Sequence, residues 1–144
     1  MTKYRETVQD VMTTDPISLP ASASILAAAQ KMRSAAIGDV VVLDDDGSKV
    51  YGIVTDRDIV VRGIAEGLDP RTNTLDDICS RILTTVSPDD SIDTAVSLMR
   101  EKAIRRLPVV KRGRPVGIVS IGDLAIERDS HSALADVSAA PPNA

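Results

Sequence analysis

The feature that most constrains this 144-residue chain is that it is written twice. With Ile25 set against Ile92, a shift of 67 positions, Asp10 falls on Asp77, Val11 on Ile78, Ser24 on Ser91, Ala28 on Ala95, Met32 on Met99, Arg33 on Arg100 and Ile37 on Ile104. The shift becomes 65 where Gly52-Ile53-Val54-Thr55-Asp56-Arg57-Asp58 meets Gly117-Ile118-Val119-Ser120-Ile121-Gly122-Asp123. The two residues are lost where Asp44-Asp45-Asp46-Gly47 and its neighbours face the shorter Lys111-Arg112-Gly113-Arg114. A turn is where a change of length costs least. The expected organisation is repeat one at 8–66, a linker with Gly and Asp-Pro at 67–74, repeat two at 75–128 and a polar, flexible tail at 129–144.

Each repeat carries the same order of elements. Ile17-Ser18-Leu19 reads as a short strand ended by Pro20. Ser22 or Ser24 can cap a helix running to about Ala35, on which Ile25, Ala28, Ala29, Met32 and Ala36 recur at helical spacing. Val40–Leu43 has no polar residue, as expected of a strand covered on both faces. The acidic turn leads to Val50–Val54, so the two strands read as a hairpin. A second helix is predicted from Asp56 to about Glu66, stopped by Gly67. Repeat two copies the order with Thr84–Val86, Asp90–Ala103, Leu107–Val110, Pro115–Val119 and Ile121–Arg128. The unit is β-α-β-β-α, and the fold class is α/β (α+β).

Composition removes several function classes. A net charge of −4 argues against general nucleic-acid binding, which needs excess Lys and Arg. Cys79 and His131 are the single cysteine and the single histidine, so an internal disulfide, a Cys cluster for zinc and a His pair are excluded. Cys79 reads as a small buried hydrophobe. No apolar run approaches the ~20 residues of a membrane span, and a cytoplasmic location is the expectation. The repeats lack a histidine base, an activated nucleophile and a metal cluster, so no enzyme is expected. With no Phe or Trp, any base-binding slot must be walled by aliphatic side chains.

The doubled hydroxyl–carboxylate pair has two compatible readings. Thr55 with Asp58, and Ser120 with Asp123, have the spacing of a capping box, in which a hydroxyl takes a helix N–H and the acid reaches back to the cap's own N–H. The same geometry suits a ligand. A helix N-terminus attracts phosphate, and a carboxylate suits the cis diol of a ribose.

With β-α-β-β-α doubled and GIVTDRD and GIVSIGD closing each unit, the chain resembles a tandem pair of cystathionine-β-synthase (CBS) domains, a Bateman module. Val11-Met12, Pro16-Ile17 and Leu107-Pro108-Val109-Val110 support the likeness, and GLDP at 67–70 after TDRDI likens it to the stand-alone CBS pairs of actinobacteria. The resemblance implies two repeats packed with pseudo-two-fold symmetry, sheets inside and helices outside, with clefts between them that take adenine nucleotides or related adenosyl compounds. AMP, ADP, ATP, NAD and S-adenosylmethionine are the ligands it implies, with no cofactor or metal required. It also implies a homodimer and an effector protein that reads the ligand, and no membrane partner. Thr55, Asp58, Ser120 and Asp123 would hold ribose and phosphate. Arg105 and Arg106, aligned with Gly38 and Asp39, would face phosphate, and Arg57 would compensate in repeat one. The adenine slot would use Thr14, Pro16, Ile17 and Val41 in repeat one, and Leu83, Thr84 and Pro108 in repeat two. A ligand-free, homodimeric protein-interaction scaffold is the alternative.

Overall fold

The structure, a computed structural model, describes residues 7–81 and 84–128, with backbone alone for 125–128. Leu83, His131 and the tail at 129–144 therefore lie outside the described residues. In chain order the elements are α1 (Val8–Val11), β1 (Thr13–Thr14), β2 (Ser18–Pro20), α2 (Ile25–Ala35), β3 (Asp39–Leu43), β4 (Val50–Thr55) and α3 (Asp56–Asp58). A π-helical stretch (Ile59–Ile64) and a 3-10 turn (Leu75–Asp77) follow, then β5 (Ser80–Arg81), α4 (Ile92–Lys102), β6 (Arg106–Lys111), β7 (Arg114–Ser120) and α5 (Ile121–Arg128). The mixed α/β class expected from the repeats is what forms.

Two compact units result. One is contiguous, Pro16–Leu83, with a four-stranded sheet in the order β2-β3-β4-β5. The other is composite, Met1–Asp15 with Thr84–Ala144, and its sheet runs β1-β7-β6. In both, the long helix forms as its spacing predicts. Ser24 caps α2 by accepting the Ala27 N–H at 3.0 Å, and Ser91 caps α4 by accepting that of Thr94 at 3.1 Å. The cap of α2 is thus Ser24 rather than Ser22. Ile25, Ala28 and Met32 point into one core, and Ile92, Ala95 and Met99 into the other. Val40, Val42 and Val54 meet α2 in the contiguous unit, as Leu107, Val109 and Val119 meet α4 in the composite one.

The compact units do not coincide with the written repeats, because the leading segment of each repeat packs into the unit of the other. β1 pairs antiparallel with β7 (Thr13 opposite Ile118), and β5 pairs antiparallel with β4 (Ser80 opposite Ile53). Val8 is buried in the composite core, and Leu75, Ile78 and Cys79 in the contiguous one. Glycine makes the exchange possible. A Cβ on Gly117 would lie 2.8 Å from the Thr13 carbonyl oxygen, and one on Gly52 would overlap that of Ser80. The glycine that opens each GIV(T/S) motif therefore admits an incoming edge strand.

Two elements differ from expectation. The helix after Thr55 makes one α turn and then widens, with Ala65 N–H donating to Val60 carbonyl at 2.9 Å. The β-branched run Ile59-Val60-Val61 crowds an α turn, and Gly63 loosens the backbone. Thr84–Val86 does not form a strand; Val86 makes only an isolated parallel bridge with Val109.

Candidate functional site

Both hydroxyl–carboxylate pairs form reciprocal capping boxes. Thr55 N–H donates to Asp58 Oδ2 at 2.9 Å and Asp58 N–H to Thr55 Oγ1 at 3.1 Å. Ser120 N–H donates to Asp123 Oδ2 at 2.9 Å and Asp123 N–H to Ser120 Oγ at 3.2 Å. All four residues are half-buried. The cap engages Oδ2 of each carboxylate, while Oδ1 accepts no hydrogen bond among the described residues. The same motif also caps where no ligand was expected, since Thr74 N–H donates to Asp77 Oδ2 at 3.0 Å and Ser87 N–H to Asp90 Oδ2 at 2.8 Å. Spacing alone therefore identifies a cap, and the surroundings must identify a site.

Those surroundings differ sharply between the two helix starts. At α3 each of the first three N–H groups is closed. Asp56 N–H goes to Gly38 carbonyl at 3.0 Å, Arg57 N–H to Asp56 Oδ1 at 2.9 Å, and Asp58 N–H to Thr55 Oγ1. At α5, Ile121 N–H goes to Arg105 carbonyl at 2.9 Å and Asp123 N–H to Ser120. Gly122 N–H between them has no partner among the described residues. Ile121 has no carboxylate to fold back as Asp56 does.

Sheet register sharpens the difference. Asp39 lies directly opposite Thr55, and Arg106 directly opposite Ser120. Directly opposed residues share a face. The α3 cap thus has an anion as its cross-strand neighbour, and the α5 cap a cation. On the same faces lie Val41 with Thr55, and Pro108 with Ser120. These faces are turned away from α2 and α4, yet Val41 and Pro108 are fully buried.

The other sequence candidates fall out differently. Ile17 packs against the helix-side core of the contiguous unit, and its carbonyl accepts the Val41 N–H at 2.9 Å. The Pro108 carbonyl likewise accepts the Val86 N–H at 3.1 Å. These backbone groups serve the sheet. Pro16 is half-buried in the contiguous unit, whereas Thr14 is exposed and pairs with Gly117 in the composite unit. The repeat-one set of Thr14, Pro16, Ile17 and Val41 is therefore split between units. Thr84 is half-buried in the composite unit. Arg57 is exposed, and so is Arg105, whose carbonyl holds the start of α5.

Two residues escaped the sequence reading. Thr13 opposes Ile118 and Ser80 opposes Ile53, so they stand on the same faces as Ser120 and Thr55. The shift of 67 that aligns the repeats also aligns these two hydroxyls, and that was the available signal. Cys79 is a core residue, and burial pushes its thiol pKa up, away from reactivity.

Comparison with known proteins agrees with this architecture. The CBS domain family matches residues 8–63 and 75–129. The chain is 37% identical over 135 residues to the uncharacterized protein YlbB of Bacillus subtilis, covering 91% of this chain and 90% of that one. It is 35% identical over 133 residues to Hypoxic response protein 1 of Mycobacterium tuberculosis, covering 92% of each. A solved structure of Hypoxic Response Protein I with two coordinated zinc ions superimposes with a TM-score of 0.73 at 37% identity, covering 83% of this chain and 96% of that one. In this chain, no group of three His, Cys, Asp or Glu side chains among the described residues is placed to hold a metal. The CBS pair of MJ0100, solved with 5′-methylthioadenosine and S-adenosyl-L-methionine, matches with a TM-score of 0.75 at 28% identity, covering 88% and 98%. With both halves matched, the chain belongs to the CBS domain family.

Proposed function

We propose that this protein is a non-catalytic regulatory module that binds a phosphorylated adenosine compound at the start of α5. The observation that carries the reading is the open Gly122 N–H, flanked by the Ser120–Asp123 cap and by Arg106 opposite Ser120. An open helix N–H and a cation suit phosphate. Asp123 Oδ1 suits a ribose hydroxyl, whereas Pro108, fully buried, offers the base no surface. The adenosyl class rests on the ligands of the MJ0100 pair. The Thr55–Asp58 cap, closed by Asp56 and faced by Asp39, excludes phosphate. Thr84 remains a candidate for the base slot, now joined by Thr13, whereas Thr14, opposite Gly117, stands on the other face and Leu83 lies outside the described residues. Ligand binding would act by favouring one conformation that an effector protein recognises.

A homodimer accompanies this reading. Val60, Val61 and Ile64 are 59%, 43% and 55% exposed on one helical stretch, an apolar face that a second copy would cover. Val60→Asp with Ile64→Asp should give a monomer by sedimentation; an unchanged dimer would remove this face from the interface.

The ligand test is calorimetry and thermal unfolding with AMP, ADP, ATP, NAD, S-adenosylmethionine and adenosine. A ligand at a hundredfold excess over Kd adds about 2.7 kcal/mol of stability. Asp123→Ala should abolish that gain and Asp58→Ala should keep it. Arg106→Gln should weaken ATP more than adenosine. If millimolar ligands produce no shift, the scaffold reading replaces this one. Loss of binding in Asp58→Ala but not in Asp123→Ala would place the ligand at the other cap.

A further inference from the structure

The two hairpins of the repeats share a fold but carry opposite charge at their tips. β3–β4 turns through Asp44, Asp45 and Asp46, whereas β6–β7 turns through Lys111, Arg112 and Arg114. Asp45, Asp46 and the three basic side chains are exposed, while Asp44 is half-buried. Asp44 Oδ1 accepts the N–H groups of Ser48 at 3.0 Å and Lys49 at 3.2 Å, fixing the acidic loop, and Asp45 stays exposed. Arg112 and Gly113 have φ of 53° and 82°, a tight two-residue turn that leaves Lys111, Arg112 and Arg114 in solvent.

The acidic tip also borders a cavity of 320 Å³, lined among others by Ser22, Asp44, Asp45, Tyr51, Thr74 and Asp76. That volume accommodates a long side chain. Its wall already receives a guanidinium, since Arg81 stacks 3.7 Å from the Tyr51 ring centroid. Asp76 accepts the Tyr51 hydroxyl, which orients the ring.

We propose that the basic hairpin tip of one copy docks into the acidic cavity of a second copy, with Arg112 or Arg114 entering it. The inference rests on the proposed self-association and gives it a direction. Because each chain carries one tip of each sign, a two-fold pair that makes this contact makes it twice. Isolated surface ion pairs contribute little, but a doubled cluster around a cavity sets orientation and salt dependence.

The test is sedimentation equilibrium of the full chain in low and high salt. Arg112→Glu with Arg114→Glu makes one variant, and Asp45→Lys with Asp76→Lys makes another. Each alone should self-associate about tenfold more weakly in low salt, and a 1:1 mixture of the two should recover the parent affinity. Parent-like association of both variants, or a mixture no tighter than either alone, would overturn the proposal. If a reversal variant misfolds, Arg112→Gln with Arg114→Gln serves in its place and should weaken association about threefold in low salt. Failure of the helix-face dimer is separately visible, because Val60→Asp with Ile64→Asp then leaves association unchanged while the charge variants still weaken it.

Discussion

Gly52 and Gly117 occupy the same place in the two GIV motifs, and each is needed for contact rather than for conformation. Each faces the backbone of an incoming segment, Ser80 for Gly52 and Thr13 for Gly117. A methyl group there must displace a carbonyl that is itself part of a sheet pairing. Gly52→Ala and Gly117→Ala should each destabilise the protein by about 1–3 kcal/mol, the usual cost of overpacking. Urea denaturation checks this. The strain falls on Ser80 at Gly52, and on Met12 and Thr13 at Gly117, and not on Thr55 or Ser120, so ligand affinity of the folded Gly52→Ala protein should match the parent. A Gly52→Ala protein as stable as the parent would show that the edge strand yields freely.

At the scale of elements, the helix and turn starts are held by carboxylates that accept backbone N–H groups. Asp77 is the clearest case. Thr74 N–H and then the Asn73 side chain hold its carboxyl below the ordinary value of 3.8. The unfolded chain therefore binds the proton more readily than the folded one does. The stability contributed is complete above pH 3.8 and is lost as pH falls through the lowered folded value. Asp77→Asn should flatten the acid limb of the stability curve below pH 4 without changing its neutral-pH slope, as acid titration by circular dichroism would record. The Thr-x-x-Asp spacing at 74–77 is legible in the sequence, as it is at 55–58 and 120–123. So were α2, α4, the hairpin strands and their buried faces, because 3.6-fold and continuous apolar patterns are local signals. The charge difference between the two caps was legible, because Asp39 aligns with Arg106, and register then sets these two opposite Thr55 and Ser120. What was hidden is that Asp56 folds back onto Arg57 N–H where Ile121 cannot. The π-helical turn after Asp58 was equally hidden, since six residues are too few for an apolar pattern to separate a π turn from an α turn.

For the whole molecule, the exchange of leading segments decides what can fold alone. The written repeat 8–66 lacks the 3-10 turn and β5, and with them Leu75, Ile78 and Cys79, which are 0%, 1% and 8% exposed in the contiguous core. It carries instead Val8, whose burial belongs to the composite unit. Full burial of a Leu or Ile side chain stabilises by about 1.5–3 kcal/mol, and a small domain has about 5–15 kcal/mol in total. A fragment 8–66 should therefore melt without a cooperative transition. A fragment 16–83, which keeps β2 to β5 and all of that core, should unfold cooperatively and give a dispersed amide spectrum. Equal cooperativity in the two fragments would mean that the edge strand and its three buried side chains are dispensable. The duplicated halves would then be independent domains rather than units completed by one another's leading residues.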